Sequence, residues 1–312
     1  MLPNFKSALL YVRRFSPLSP SLCPFTGRGK ILLSVLLTIC GVAHRAFAEF
    51  PSTQPYPGVT YSHDLHHDPD ESVFVVTINL DKANIRVAPA GPDPDGPQGE
   101  WQTTLLPASE IAKRENFDVT INASFFTARD TKDAEGVKSG YVRDKWAKAV
   151  GLAMTGGKLW SSQAKDNFVS FWIDGDHRAH LGAIERVPDD AAQIVQGNAW
   201  LLRDDKPVEQ TTKMMQVRHP RTAIDLDRAG KKLILLTVDG RRPGVSLGMT
   251  GDELSVELQK LGAETAINLD GGGSTTLVLR DPQTGEQKIL NQPSDTRERA
   301  VADVVGVTTR KD

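Results

Sequence analysis

Short apolar runs of strand length dominate the hydrophobic pattern along this chain. Residues 73–80 (VFVVTINL) and 85–88 are rich in β-branched side chains, and the turn-forming segment 81–84 between them predicts a hairpin. Further runs of this type follow at 118–122, 149–154, 168–173, 194–202, 221–227, 232–238, 265–269 and 275–280. Many strands with few helices predict a mixed α+β fold, namely a strand-rich single domain with few helices.

Two segments show the pattern of a helix. Residues 108–116 (ASEIAKREN) predict a short one. In the second, Thr250 is a favourable N-cap residue, Glu253 stands where a capping box needs it, and Gly262 can end the helix. Its apolar stripe consists of Leu254, Leu258 and Leu261. This segment is the stronger helix prediction of the two.

Three polar segments interrupt the strand pattern. Residues 49–70 are rich in Pro, His and Asp and predict an extended lead-in. Residues 89–100 and 127–148 predict surface loops, and the second is a candidate lid over a substrate. We therefore divide the mature chain into a lead-in with the first strands, residues 49–116, and a main domain, residues 117–310.

The first 48 residues have the composition of an export signal. They contain six basic residues, no acidic residue, an apolar run over 31–43 and the small-x-small sequence Ala46-Phe47-Ala48. This pattern predicts a signal peptide that is cleaved after Ala48, and a periplasmic or secreted protein. The apolar run is shorter than the roughly 20 residues that a membrane span needs, so no stable span is expected after cleavage. An uncleaved anchor is the alternative.

Removal of this segment changes the charge and the cysteine content. It takes six of the 37 basic residues and none of the 39 acidic ones, so the formal net charge moves from −2 to −8. Non-specific nucleic-acid binding depends on neutralised phosphates, so no nucleic-acid partner is predicted for such an acidic chain. Cys23 and Cys40 also leave, so we expect neither a disulfide nor a thiol nucleophile in the mature chain.

The densest candidate chemistry lies in residues 266–276 (AINLDGGGSTT). Asn268 and Asp270 stand two residues apart at the end of a predicted strand, so they project from the same face. The glycines after them let the backbone approach a ligand, and their amides can bind an anion, with the Ser274 hydroxyl at the rim. These glycines are Gly271, Gly272 and Gly273. A glycine-rich hairpin with a capping aspartate is the alternative.

Other acids and arginines lie beside apolar runs elsewhere in the chain. In chain order they are Arg221, Asp239, Arg241, Glu298 and Arg299. Arginine suits phosphate because its planar fork can bind two oxygens, and paired carboxylates suit acid/base or nucleophilic displacement at a sugar carbon. The mixture predicts a substrate that contains both phosphate and sugar, although Asp-Gly after a strand is, taken alone, more typical of a turn.

Over residues 117–308, the chain resembles a known family. The motifs that carry the resemblance are Asn122-Ala-Ser-Phe-Phe, Arg221-Thr-Ala-Ile, Val238-Asp-Gly-Arg, Gly248-Met-Thr with Glu253-Leu, Asn268-Leu-Asp-Gly-Gly-Gly-Ser-Thr-Thr and Glu298-Arg299. Their order is similar to that of the phosphodiester glycosidase family. The block at 268–276, together with the helix before it, is the most specific of these motifs.

The resemblance implies hydrolysis of the bond between a sugar anomeric carbon and a phosphodiester. Carried over by position, the implied site residues are Asn122, Arg221, Asp239, Asn268, Asp270, Ser274 and Glu298. One departure is visible, because the family often has Asn-Gly-Gly-Phe-Phe where this chain has Ala123 and Ser124. The substitutions reduce backbone freedom beside Asn122 and bear on the shape of the pocket.

Together these observations predict an exported hydrolase that acts on sugar-1-phosphodiesters or phosphoglycans among the envelope or extracellular glycans. Asp270 is the first candidate for nucleophile or base, with Glu298 or Asp239 as its partner, and the arginines and glycine amides are expected to hold phosphate. Two alternatives remain: a non-catalytic phosphoglycan-binding protein in polysaccharide assembly, and a phosphodiesterase that attacks phosphorus.

No cofactor or metal is predicted. Residues 63–68 (HDLHHD) contain metal-binding residue types without the ligand spacing of a closed zinc site, so we interpret them as a solvated segment, with a metal site as the alternative. His219 is an acid/base candidate outside the central prediction, and Trp146 is a candidate for sugar contact. The aromatic residues Phe125, Phe126, Phe168, Phe171 and Trp172 are predicted to belong to the core.

Overall fold

The structure is a computed structural model that describes residues 53–92, 99–129, 140–165, 167–295 and 297–310. The predicted signal peptide lies outside the described residues, and so does part of the predicted 127–148 loop. Across the described ranges, no helix is long and apolar enough to span a membrane.

Strands make up most of the regular structure, which confirms the strand-rich α+β prediction. In chain order the strands are β1 (Val59–His66), β2 (Glu71–Asn79), β3 (Ala83–Pro89), β4 (Thr103–Thr104), β5 (Leu106–Pro107), β6 (Val119–Asn122), β7 (Phe126–Ala128), β8 (Trp146–Ala149), β9 (Gly151–Thr155), β10 (Lys158–Gln163), β11 (Val169–Asp174), β12 (Ala179–Gly182), β13 (Ala191–Gly197), β14 (Ala199–Arg203), β15 (Lys206–Pro207), β16 (Arg221–Leu226), β17 (Lys232–Val238), β18 (Thr265–Asn268), β19 (Leu277–Arg280), β20 (Gln287–Ile289), β21 (Ala300–Val301) and β22 (Asp303–Thr309).

These strands form antiparallel sheets. The largest sheet has seven strands in the order β1-β2-β17-β16-β18-β14-β15. Two five-stranded sheets have the orders β20-β19-β6-β22-β3 and β10-β9-β13-β11-β12. Smaller sheets pair β4-β8-β7 and β21-β5. The strands with the most important candidate residues, β16, β17 and β18, are neighbours inside the largest sheet.

The helices of the described residues are α1 (Ala108–Glu115), α2 (Lys213–Gln216) and α3 (Gly251–Lys260). The sequence predicts α3 correctly: the Thr250 hydroxyl accepts from the Glu253 amide, and the Glu253 carboxylate accepts from the Thr250 amide. Gly262 has a φ of +81°, which fits its predicted place just after the helix. Helix α1 is followed by Asn116, which caps its C-terminus in the left-handed conformation.

The core has layers on both faces of the largest sheet. One face packs against the five-stranded sheets through large side chains such as Phe74, Ile224 and Phe171. The other face is covered by α3, whose Leu254 and Leu258 pack on the sheet. Because the strands of this sheet are covered on both faces, the loops at their ends are the places where polar side chains can reach a ligand.

Two predictions about the N-terminal part are wrong. Residues 59–66 are not part of a lead-in, because β1 pairs with β2 along its whole length. The runs at 73–80 and 85–88 do not form a hairpin. A 3₁₀ turn at Leu80–Lys82 separates them, β2 pairs with β17 in the largest sheet, and β3 pairs with β22 in a five-stranded sheet.

The histidines of segment 63–68 make local contacts at the edge of this sheet. The His63 ring stacks on Phe74 with 4.2 Å between ring centroids. The His66 ring lies 3.2 Å from the Glu71 carboxylate. Among the residues that the structure describes, no group of three or more His, Cys, Asp or Glu side chains is arranged to hold a metal ion.

Candidate active site

A cleft of 340 Å³ lies beside the loop that follows β18. Its walls combine aromatic, cationic and glycine residues around one carboxylate. They are formed by Phe125, Tyr141, Met214, His219, Pro220, Arg221, Arg241, Asn268, Asp270, Gly271, Gly272, Gly273 and Arg299. The cleft therefore brings together most of the predicted substrate-binding residues, although they lie far apart along the chain.

Asp270 is the one carboxylate among the described residues that line this cleft. Its amide donates to the Ala123 carbonyl (3.0 Å), and its own carbonyl accepts from the Asn122 side chain (2.6 Å). Burial raises the pKa of Asp270 to about 6, against the opposing effects of a hydrogen bond from Ser274 and the charge of Arg299. The carboxyl group is thus held at the cleft with a pKa near the range in which a general base works.

The three glycines allow other groups to pack against the loop. A Cβ at Gly271 would lie 2.7 Å from the Pro220 carbonyl, and one at Gly273 would collide with the side chains of Arg299 and Asp295. Gly272 has a φ of +63° and supports the Arg241 guanidinium, which lies 3.0 Å from the place of a Cβ. The glycines therefore allow the backbone at Pro220 and the side chains of Arg241, Arg299 and Asp295 to lie close to the loop.

The prediction that the glycine amides bind phosphate fits the structure less well. The Gly272 N–H donates to the Pro220 carbonyl at 2.9 Å. The Gly271 N–H donates to the carboxylate of Asp270 and lowers its pKa. Two of the three glycine amides are thus already used, by Pro220 and by Asp270, so most of the cleft's anion-binding capacity lies in its arginines.

Arg221 is a buried cation that donates to three backbone carbonyls and to the Met215 Sδ. Its Nη2 donates to Met214 (2.9 Å) and Val217 (2.7 Å), and its Nε donates to Met249 (2.9 Å). Burial and, to a smaller extent, the nearby charge of Arg241 lower the pKa of Arg221 to about 10. Within the described ranges, no carboxylate lies within ion-pair distance of this guanidinium.

Arg241 lies next to Arg221 on the exposed side of the cleft. It has a φ of +59°, which few non-glycine residues adopt. Its Nε donates weakly to His219 Nδ1, at 3.4 Å, and no carboxylate of the described residues forms an ion pair with it. Two neighbouring guanidinium groups without an acidic partner are an electrostatic arrangement that an anion would relieve.

His219 also lines the cleft, beside Arg241. Burial and the charges of Arg241 and Arg221 lower the pKa of His219, so the ring is neutral near pH 7. Because Nδ1 accepts from Arg241, the proton of the neutral ring belongs on Nε2. The sequence placed His219 two positions before Arg221, the first residue of β16, but a lone histidine before proline is too weak a pattern to identify a site residue.

Asn268 and Asn122 are both buried but differ in what their side chains can still do. Asn268 lines the cleft, its Nδ2 donates to Asn198 Oδ1 (2.8 Å), and its own Oδ1 has no hydrogen-bond partner among the described residues. The Asn122 Oδ1 accepts from Thr222 (2.9 Å) and from the Thr276 amide (3.1 Å). Asn122 therefore supports the Asp270 backbone and does not line the cleft.

The two carboxylates predicted as partners of Asp270 do not line the cleft. Glu298 accepts from the amide (2.7 Å) and the hydroxyl (2.5 Å) of Ser109, in the first turn of α1. Asp239 is buried and accepts from Asn291 (3.0 Å) and from the Gln292 amide (2.9 Å). Burial raises the pKa of Asp239 to about 7. The carboxylate oxygens of both residues are therefore engaged in hydrogen bonds within the fold.

Ser274 and Arg299, in contrast, lie beside Asp270. The Ser274 side chain is fully buried and hydrogen bonds to Asp270. Arg299 Nη1 lies 3.4 Å from the Ser274 Oγ, and its Nε donates to Asp295 at 2.8 Å. The guanidinium also lies 4.6 Å from the centre of the Tyr141 ring. These contacts place a cation and a hydroxyl next to the candidate base.

The aromatic predictions were only partly correct. Phe125 was predicted to be core but lines the cleft, in edge contact with Phe168 at 6.3 Å between ring centroids. Tyr141, for which the sequence carries no signal, lines the cleft as well. Trp146, the predicted sugar contact, begins β8 and is not among the residues that line the cleft. Phe125 and Tyr141 are therefore the candidate sugar-contacting rings.

A larger cavity of 720 Å³ lies elsewhere and contains none of the predicted site residues. Several charged side chains around it are already paired with each other. The pairs are Arg178 with Asp176, Arg228 with Glu264, and Lys231 with Asp81. The smaller cleft, with its unpaired arginines and perturbed carboxyl group, is the stronger candidate site.

Comparison with known proteins agrees with this geometry. The phosphodiester glycosidase family profile matches residues 116–308. The N-acetylglucosamine-1-phosphodiester alpha-N-acetylglucosaminidase of Bos taurus is 31% identical over 175 residues, which cover 49% of this chain and 32% of that protein. The Mus musculus protein of the same name is 29% identical over 177 residues, which cover 49% and 34%. The matched region thus spans about a third of the length of either relative.

Solved structures show the same fold. The zebrafish N-acetylglucosamine-1-phosphodiester alpha-N-acetylglucosaminidase catalytic domain, auto-inhibited by its pro-peptide, has a TM-score of 0.59 and 21% identity, covering 86% of this chain and 87% of that one. A hypothetical protein from Synechocystis has a TM-score of 0.50 and 18% identity, covering 81% and 62%. The family match over most of the described residues is decisive, and the chain belongs to the phosphodiester glycosidase family.

Proposed function

We propose that this protein is a hydrolase that cleaves the bond between the anomeric carbon of a sugar and a phosphodiester. The observation that carries the proposal is the pair Arg221 and Arg241, two neighbouring cations without an acidic partner, in the same cleft as the perturbed carboxyl group of Asp270. The names of the two mammalian relatives support N-acetylglucosamine as the first sugar to test.

The phosphate belongs on the arginine side of the cleft. Arg241 is exposed and can turn its guanidinium toward two phosphate oxygens, while the buried Arg221 adds its charge behind it. The Nε2–H of neutral His219 is available to donate to a third oxygen. Charge-assisted hydrogen bonds of this type are about twice as strong as neutral ones, so this wall supplies most of the recognition.

The sugar belongs on the opposite side, near Asn268, Phe125 and Tyr141. The unpartnered Asn268 Oδ1 is a buried acceptor, and a sugar hydroxyl or an amide N–H would satisfy it. Phe125 and Tyr141 offer apolar surface to a sugar face. Asp270 then lies between the sugar and the phosphate, where the bond to be broken would lie.

Hydrolysis needs one base in this arrangement. Ionised Asp270 takes a proton from water, whose oxygen bonds to the anomeric carbon while the bond from that carbon to the bridging oxygen breaks. The bridging oxygen keeps the electron pair and leaves as part of a phosphate monoester. Because phosphate is a good leaving group and the arginines stabilise its added charge, no second carboxyl group is required. This single displacement inverts the anomeric configuration.

We also propose that the protein acts after export, on envelope or extracellular glycans. The support is the basic segment, the apolar run and the Ala46-Phe47-Ala48 sequence at the N-terminus. N-terminal sequencing of the protein from its native cell tests this proposal, and a mature N-terminus at Glu49 is the expected result. Recovery of soluble cytoplasmic protein with an intact Met1 would contradict it.

The decisive experiment for the activity is hydrolysis in oxygen-18 water. The substrates are the methyl phosphodiester of N-acetylglucosamine-1-phosphate and UDP-N-acetylglucosamine, with Asp270→Asn as the inactive control. We expect the label in the released sugar, and proton NMR should show the inverted anomer first. Label in the phosphate would identify attack at phosphorus, and tight binding without turnover would identify a phosphoglycan-binding protein.

A further inference from the structure

The wall of the cleft that holds the arginines has an unusual apolar rim. We use the name apolar rim for four exposed side chains: Met214 (46% exposed), Val217 (44%), Val245 (38%) and Leu247 (36%). The described residues contain only three other large apolar side chains that are this exposed, namely Leu65, Trp146 and Val256. Four of the seven large apolar side chains that are this exposed among the described residues therefore belong to two short segments, 213–219 and 241–249, which also carry Arg241 and the carbonyl partners of Arg221.

The rim is built into the same backbone that holds the arginines. The carbonyls of Met214 and Val217 accept from Arg221, and Met214 lines the cleft itself. On the other segment, the Leu247 carbonyl accepts from the Arg241 amide (3.4 Å). The two segments contact each other through paired backbone hydrogen bonds between His219 and Met249. The part of a ligand that extends beyond the phosphate on this side would therefore contact apolar side chains first.

The charge of the rim fits an anionic amphiphile. The segments 213–219 (KMMQVRH) and 241–249 (RRPGVSLGM) contain basic residues and no acidic residue, although acidic residues are in excess in the chain as a whole. Arg218 is paired with Glu71 and Glu253. The cations of these segments that form no ion pair among the described residues are Lys213, Arg241 and Arg242. Cations next to exposed apolar side chains complement a phosphate that continues into a hydrocarbon chain. A hydrophilic aglycone such as a second sugar would leave these apolar side chains without a partner.

We propose that the aglycone is an apolar chain, so that the substrate is a sugar-1-phosphate diester of a long-chain alcohol whose alkyl or polyprenyl chain lies on the apolar rim. This inference rests on the proposed function and specifies its substrate class. Water adds its oxygen to the anomeric carbon, and the carbon–oxygen bond breaks. The products are the free sugar and the phosphate monoester of the long-chain alcohol, which retains the bridging oxygen, and the remaining proton passes through Asp270 to solvent.

Two water-soluble substrates test this directly, because they differ only in the aglycone. They are the methyl and octyl phosphodiesters of N-acetylglucosamine-1-phosphate, used below the concentration at which the octyl ester aggregates. Burial of several methylenes on the rim should give the octyl ester about a tenfold or larger advantage in kcat/KM. Val217→Ser and Leu247→Ser should reduce this advantage severalfold, and the pair together should abolish it, without changing turnover of the methyl ester.

The matched control is Val256→Ser, because Val256 is 45% exposed on α3 and is not part of the rim. It should leave the octyl-to-methyl ratio unchanged. Equal turnover of both esters by the unchanged protein overturns the apolar-aglycone inference and leaves the proposed function standing. Failure to hydrolyse either ester overturns both. An octyl preference that survives in the rim variants also overturns the inference, because the chain would then bind elsewhere.

A membrane surface is the competing occupant of the rim, and a second measurement separates it from a substrate chain. Sedimentation with phosphatidylglycerol vesicles should show no rim-dependent binding if the rim serves the aglycone. Vesicle binding that the two serine substitutions remove, combined with equal turnover of the two esters, would assign the rim to membrane docking instead. All variants alter exposed side chains, and a thermal unfolding midpoint within about 2 °C of the parent verifies their folding.

Discussion

Ser124 holds the carboxylate of Asp303 with two hydrogen bonds. Its amide donates to Oδ1 at 2.8 Å and its hydroxyl to Oδ2 at 2.7 Å, and both residues are buried. Burial raises the pKa of Asp303 to about 6, and the charge of Asp303 in turn raises the pKa of Asp270. Ser124 is one of the two residues where the chain departs from the family's usual glycines, so this departure bears on the protonation of the candidate base.

The first prediction concerns pH. Asp303→Asn keeps the shape of the side chain but removes its charge, so the pKa of Asp270 should fall. Because Asp270 must be ionised to act as a base, the acidic limb of the kcat/KM profile, expected near pH 6 in the unchanged protein, should move to lower pH. Rate measurements from pH 4 to pH 8 test this. Asp176→Asn, a surface carboxylate paired with Arg178, is the control and should leave the profile in place.

The second prediction concerns the base itself. Asp270→Asn should lower kcat by about a thousandfold or more, equivalent to roughly 4 kcal/mol of transition-state stabilisation. The pKa of Asp270 is raised in the folded protein, so its ionisation costs stability as the pH rises from about 4 through about 6. The thermal midpoint of the variant at pH 7.5 should therefore be equal to that of the parent or higher. Near-normal turnover by a folded variant would refute the assignment.

The third prediction separates Glu298 from catalysis. Glu298 accepts two hydrogen bonds from Ser109 in the first turn of α1, where a negative charge also favours the helix. Glu298→Gln should lower the free energy of unfolding by about 1 to 2 kcal/mol, measured by urea denaturation, and change kcat less than threefold. A large loss of kcat with unchanged stability would restore Glu298 as a catalytic partner.

The sequence could predict what local chemistry determines. The capping box of α3 involves residues three positions apart, and the Asn268–Ser274 loop follows its strand directly, so both could be read from the chain. The hairpin at 73–88 could not, because the choice between partners depends on β17 and β22, which lie more than 140 residues away. A one-dimensional pattern gives the length of a strand and its apolar face, but not the partner that covers it.

The same lack of three-dimensional information explains why some site residues were predicted wrongly and others were missed. Glu298 and Asp239 have the residue types of acid/base groups, and only the fold shows that their oxygens are used by Ser109, Asn291 and Gln292. Tyr141 lies in a charged segment without periodicity, so no pattern distinguished it. The arginines were predictable because they lie beside apolar runs and their planar fork suits phosphate, but their lack of acidic partners is a three-dimensional property.

The fourth prediction concerns a buried acid away from the cleft. Asp225 is fully buried in β16, neither of its carboxylate oxygens has a hydrogen-bond partner among the described residues, and burial raises its pKa well above the ordinary value. Its protonated form therefore stabilises the fold below about pH 4, and that contribution is lost as the pH rises toward the raised pKa. Asp225→Asn should flatten the decline of the thermal midpoint between pH 5 and pH 8. Asp189→Asn, a surface residue paired with Arg186, should not.

The last prediction concerns recognition of phosphate. Arg241→Ala removes an exposed cation that forms no ion pair within the described residues, so its loss should cost little stability. Arg221→Ala is a poorer test, because Arg221 also connects the carbonyls of Met214, Val217 and Met249. Calorimetry should show that Arg241→Ala weakens binding of a non-hydrolysed sugar-1-phosphodiester analogue by tenfold or more, while binding of the free sugar changes less than twofold. Arg178→Ala, another exposed arginine, is the control and should change neither. Equal losses for both ligands would show that Arg241 shapes the cleft and does not bind phosphate.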